Sequence, residues 1–228
     1  MSARAIAGEA LGTAMLLAVI VGSGIMGESL AAGNVALALL ANSVATGAGL
    51  IVLILVFAPI SGAHFNPIVS VLEATRGSIS AGAAAARSAA QIVGGCLGVV
   101  VAHAMFDHAA VASSAHARSG LGQAIGEAVA TFGLVGVVTV LPRRRPEATA
   151  FAVGVYITAA YWFTSSTSFA NPAVTLARTL TDTFTGIRFV DTPLFLGGQV
   201  VGALVGALVF GWLVPVERPD AKGKGTLT

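Results

Sequence analysis

Two stretches of the chain hold the residues best suited to chemistry. One reads Gly62-Ala63-His64-Phe65-Asn66-Pro67-Ile68-Val69-Ser70, the other Ser168-Phe169-Ala170-Asn171-Pro172-Ala173-Val174-Thr175-Leu176. Each sets an Asn-Pro pair in otherwise apolar sequence. Asparagine is a favoured helix N-cap, and proline is favoured at the first helical position because its missing N–H would be unpaired there anyway. Each pair therefore predicts a short helix starting at the proline. Ser61 to Phe65 and Thr167 to Ala170 are expected to be non-helical, since a residue before proline avoids the helical region. The chemistry on offer is hydrogen bonding and fixed dipoles, with no bond-making group.

Other ionisable residues inside apolar sequence are few: Glu9, Glu127, His103, His64 and Glu73. Glu9 and Glu127 read as buried acceptors for N–H groups of the two Asn-Pro loops, with a proton relay as the alternative role. Glu73 and Arg178 each stand seven residues after their asparagine, and an opposite charge there fits a structural anchor at each short-helix end; for Arg178 the alternative reading is a cation placed in the outer vestibule. His103, His108 and His116 lack clean metal spacing on one helix face. The lone Cys96 offers neither a disulfide nor a thiolate cluster. Neither a nucleophile–base arrangement nor a nucleotide motif is present, so no enzyme activity, metal or cofactor is expected. Tyr156, Tyr161 and Trp162 read as packing or interface anchors.

The elements that position these residues follow from composition. Of 228 residues, 56% are hydrophobic and 10% charged, against about 25% charged in a soluble domain. Mean hydropathy is +0.88. The class is an integral membrane protein, with lipid as its surroundings, and the small net charge of +2 does not suggest a nucleic-acid partner. Six apolar segments approach the ~20 residues needed to span a bilayer: 5–26, 35–57, 83–106, 121–141, 148–167 and 193–214. No alternating pattern of β-barrel type appears. The Asn-Pro stretches, about 62–76 and 169–180, are too short to cross. Arg4, Arg76, Arg87, Arg143, Arg144, Arg145, Arg218, Lys222 and Lys224 fall on one side of a six-span arrangement, and Arg118, Arg178 and Arg188 on the other. The positive-inside rule then puts both termini in the cytoplasm. Residues 1–217 are read as one transmembrane unit and 218–228 as a polar cytoplasmic tail.

That unit repeats internally. Gly8-Glu9-Ala10 and Gly126-Glu127-Ala128 open spans one and four, and Gln91 and Gln199 each precede a Gly-x-x-x-Gly pair in spans three and six. The Asn-Pro stretches are the third matched pair. The halves, about 5–106 and 121–214, hold three spans each, so the second must run opposite to the first through the membrane. Irregular backbone at membrane depth is tolerated only when buried in protein or lining a water-filled cavity. Two re-entrant half-helices meeting N-terminus to N-terminus satisfy this. Each N-terminus carries about half a positive charge. The Asn66 and Asn171 amides can donate to an oxygen passing between them, while loop carbonyls accept. Such a site passes neutral hydroxylated molecules in single file and opposes cations. The competing reading is an ion-coupled secondary transporter, in which helix N-termini hold an anionic substrate.

These motifs resemble the aquaporin and aquaglyceroporin (major intrinsic protein) family over nearly the whole chain, from Glu9 to the Gln199 helix. The resemblance implies an all-α fold of six transmembrane helices plus two half-helices, a pore in every protomer and a homotetramer. It implies a passive channel for small neutral solutes, with Asn66, Asn171, Ile68 and Ala173 at the central constriction. Backbone of Gly62, Ala63, His64 and Phe169 is expected to line the pore. Two departures stand out. Ile68 replaces the usual alanine of the first motif, and Val174 stands where the family normally places a filter arginine. Counting back without gaps from each asparagine assigns Thr46, Ala159 and Ser168 to the rest of that filter. This set is small throughout, which implies a wide, weakly polar constriction. Glycerol-type polyols, urea, water and uncharged metalloid hydroxides such as arsenous acid are the expected solutes, in a prokaryotic-type inner membrane.

Overall fold

The computed structural model describes residues 2–214. The tail expected at 218–228 lies outside them. Eight α-helices follow one another: α1 (Ala3–Leu30), α2 (Val35–Ser61), α3 (Pro67–Thr75), α4 (Ala81–Met105), α5 (Leu121–Arg144), α6 (Thr149–Phe163), α7 (Pro172–Ala177) and α8 (Thr192–Leu213). The described residues contain no strand. Helices α1, α2, α4, α5 and α8 are each long and apolar enough to cross a membrane. Helix α6 occupies the place of the fifth span but has only 15 residues, about 22 Å of rise. Its predicted continuation to residue 167 fails because Thr164 and Ser165 turn their hydroxyls onto the carbonyls of Ala160 and Gly122 and begin a loop.

Helix starts follow the capping rules. Ser2, Asn34, Ser80, Asn66 and Asn171 each accept a backbone N–H of the first turn through the side chain. Helix α2 runs past the expected span end at residue 57 and one residue into the stretch expected to be non-helical, through Ser61, and is closed by left-handed Gly62 at φ 91°. The outer faces carry exposed apolar side chains such as Leu208 and Trp212.

Helix α1 packs along α4, and α5 along α8, with α2 against α1 and α6. The glycines make this intimacy possible. A Cβ at Gly94 or Gly98 would strike the carbonyls of Ala10 and Ala14 on α1, and one at Gly202 would strike that of Ala128 on α5. The half-helix α3 lies against α4, and α7 against α4 and α8. Their N-terminal ends meet in the middle of the molecule.

Candidate functional site

The two loops ahead of α3 and α7 have matching backbones. Ala63 and Ser168 sit at φ 50° and 51°, Phe65 and Ala170 at 49° and 47°. Gly62 and Thr167, at 91° and 59°, complete the pattern. Non-glycine residues in the left-handed region are costly, and they persist only where surrounding bonds over-determine them. Those bonds are plain here. The Glu9 carboxylate accepts the N–H groups of His64 (3.0 Å) and Phe65 (2.8 Å), and the Glu127 carboxylate accepts those of Phe169 and Ala170 (both 2.8 Å). Gln91 Nε2 donates to Glu9 (2.7 Å) and Ser70 Oγ (3.0 Å), and Gln199 Nε2 to Glu127 (2.6 Å) and Thr175 Oγ1 (2.8 Å). Ser61 and Ser166 hydroxyls accept the N–H two residues on, a paired turn signal that was legible in the sequence.

The loops then lock onto each other. Asn66 Nδ2 donates to the Ala170 carbonyl (2.8 Å), and Asn171 Nδ2 donates to that of Phe65 (2.7 Å). Each Oδ1 accepts from its own helix start: Ile68 N–H for Asn66, Ala173 and Val174 N–H for Asn171. An amide has two N–H groups, so one remains for each asparagine. Both asparagines line a cavity of about 290 Å³.

The cavity walls are built at helical spacing. Leu16 and Ile20 of α1 match Leu134 and Val138 of α5, and Thr46, Leu50 and Ile54 of α2 face Val153, Ile157 and Tyr161 of α6. Gly62, Ala63, His64 and Phe169 line the cavity, as do Thr46, Ser168 and Val174. Ile68 and Ala173 do not; they back the asparagines, and Ala173 is fully buried. Ala159 is exposed on the outer surface. Ungapped counting misplaces it, because the α6 residues that face inward recur at 153, 157 and 161. Tyr161 of the same helix does line the cavity, 3% exposed, with its hydroxyl donating to Thr46 Oγ1 at 3.3 Å. It is therefore a cavity residue and not merely a packing anchor.

Charge at the two ends also departs from expectation. At one end Glu73 lines the cavity and pairs with Arg76 at 2.9 Å. At the other end Arg178 lines it, only 2% exposed. Two further arginines counted as flanking residues are drawn inward. Arg87 is buried, donates to the Ser61 carbonyl and lies 3.7 Å from Glu9. Arg118, from the loop before α5, donates to the Gly186 and Phe184 carbonyls and stands 5.2 Å from the Phe169 ring centroid. Burial pushes its guanidinium down to about 10, which leaves it charged at neutral pH. His103 is also buried, between the Ala109 carbonyl and Thr181, while His108 and His116 lie in the following loop. The described residues hold no group of three metal-ligating side chains.

Six helices, two opposed half-helices and a lined passage between them define a membrane channel of inverted-repeat design. The profile of the major intrinsic protein family matches residues 1–146 and again 143–226, so that each half carries the pattern. The chain belongs to that family. It is 49% identical to aquaglyceroporin AqpS of Rhizobium meliloti over 211 residues, covering 92% of this chain and 90% of the relative. It is 29% identical to probable aquaporin TIP5-1 of Oryza sativa, over 95% and 86% of the two chains. The fold matches the X-ray structure of the aquaglyceroporin from Plasmodium falciparum with a TM-score of 0.70 at 22% identity, over 92% of this chain and 94% of that one. The protein is a passive channel for small neutral solutes and not an enzyme.

Proposed function

We propose that the channel conducts neutral, hydroxyl-bearing solutes up to about the size of glycerol, together with urea and water, and that it excludes protons and ions. One observation carries this reading. The cavity wall is amphipathic: the Tyr161–Thr46 hydroxyl pair and Ser168 line it together with apolar Val174. A polyol slides its carbon edge along Val174 while its hydroxyls exchange water for the polar wall. Deeper in, the free N–H of Asn66 and of Asn171 offer the next donors. The aquaglyceroporin named above, 49% identical, fits this solute class. Uncharged metalloid hydroxides such as arsenous acid present the same cluster of hydroxyls and fall within the proposed range.

The Arg76 and Arg143–Arg145 end, also the Glu73 end of the cavity, is read as cytoplasmic, with both termini on that side. A homotetramer in a cell's inner membrane, its exposed apolar faces against lipid or sister protomers, completes the proposal. A side-by-side panel of water, glycerol, urea and arsenous acid in proteoliposomes tests it. Low-activation-energy fluxes that ignore ion gradients are expected. Saturable uptake driven by an ion gradient would overturn it.

A further inference from the structure

The filter position that the family normally fills with arginine is Val174 here, yet a guanidinium stands beside it. Arg178 stands four residues after Val174, at the C-cap of α7 where a short 3₁₀ turn begins. Side chains tilt toward the N-terminus of their helix, and the N-terminus of α7 points to the centre of the molecule. The long Arg178 side chain therefore runs back toward Asn171. Its Cζ lies 3.4 Å from the centroid of the ring of Phe169, which lines the cavity next to Ser168. Nε donates to the Thr185 carbonyl, which fixes the plane of the group. The two terminal nitrogens have no hydrogen-bond acceptor, and the guanidinium no ion pair, among the described residues.

Two features say that this is more than a loop anchor. A buried cation without a carboxylate partner is expensive, and a structural role at this place is served as well by a neutral side chain. Beside it, Ser168 Oγ is buried, lines the same cavity and has no hydrogen-bond partner among the described residues. Unsatisfied donors of two kinds thus converge on one short length of the passage, as a site for passing oxygens requires.

We propose that Arg178 supplies the selectivity-filter charge that Val174 lacks. It reaches back one helical turn, donates with Ser168 to the oxygens of a neutral solute, and repels cations there. This rests on the channel reading. The test uses full-length protein in proteoliposomes and reads the influx of guanidinium, a compact planar cation, relative to glycerol in the same vesicles. Arg178→Gln is expected to raise that ratio by at least about tenfold, whereas Arg178→Lys, which keeps the charge, stays within about threefold of the parent. Arg178→Met keeps the buried stem and carries the same test should the glutamine variant not fold. An unchanged ratio in a glycerol-conducting neutral variant overturns the proposal, as does a lysine variant that leaks like the glutamine one. Absence of glycerol flux in the parent protein would instead overturn the proposed solute range.

Discussion

The two halves of the molecule share a hydrogen-bond skeleton and differ in what is hung on it. In both, a buried glutamate holds two loop N–H groups, a glutamine braces the glutamate, and an asparagine crosses to the opposite loop. Four residues before each glutamine the halves part. The first has Arg87, beside Glu9 and 3.5 Å from His64; the second has Phe195, whose ring lies 4.9 Å from that of Phe169. His64 and Phe169 hold matching places two residues before their asparagines. Similarly Glu73 in the first half is matched by Arg178 in the second. Repeated bonds set where the half-helices sit, and the unrepeated side chains set the character of each mouth. One half buries a polar, charged cluster behind its loop. The other buries an aromatic pair that carries a cation on its face.

Breaking the shared skeleton should expose this difference most strongly. Glu9→Gln leaves Arg87 without its carboxylate and should cost about 3–5 kcal/mol, against about 1–3 kcal/mol for Glu127→Gln, which strands no ion pair. Unfolding in detergent measures both, and equal losses would mean that Arg87 depends on the Ser61 carbonyl alone. Next, Val174→Arg puts a second guanidinium against Arg178 in the passage. Glycerol flux should fall by about tenfold and water flux by less than about threefold, on steric and Coulombic grounds. Unchanged selectivity would show that Val174 does not form the constriction. Tyr161→Ala opens the wall beside Thr46 and should raise the permeability of four-carbon polyols several-fold, whereas Ala159→Val should leave every flux unaltered. A response at Ala159 would reverse the inward assignment of α6.

The smallest effect is expected at the outer rim of the second half. Asp191 accepts hydrogen bonds from Arg188 (2.9 and 3.1 Å) and from the Arg118 N–H (2.9 Å). Arg188 beside it holds its carboxyl below the usual carboxylate range. A lowered value contributes stability above the unfolded carboxylate value near 4 and loses it as the pH falls through the folded one. Loop anchoring by Asp191 should therefore not change between pH 8 and pH 5. Asp191→Asn should lower Tm at pH 7 by no more than about 3 °C. A larger drop would make this loop a main support of Arg118.

Much of the fold was legible because its signals are local. Asn-Pro marks a helix start wherever it falls, and the paired Gly-Glu-Ala and Gln-Gly motifs expose the repeat. Glu9 and Glu127 could be assigned to the loop N–H groups because two matched carboxylates in apolar sequence need matched donors. The inward face of α6 and the reach of the arginines were less legible. Arg118 and Arg87 looked like flanking charges, because nothing in the sequence near them shows that the backbone folds a carbonyl or a ring within their reach. Arg178 reads as an anchor or as a vestibule cation for the same reason, since its length lets the charge end up far from its Cα.

By itself, then, the sequence determined a bundle of apolar spans, its inverted repeat and two half-helices that start at Asn66 and Asn171. Composition, capping and spacing act within a turn or two of chain and survive any detail of packing. Tertiary structure alone decided that Tyr161 and not Ala159 faces the passage, and that the nearby cation comes from Arg178. Each residue turns a helix by about 100°, so a two-residue difference in loop length carries a side chain from the pore to the outer surface. Only packing of α6 against α2 and of Arg178 against Phe169 resolves that rotation.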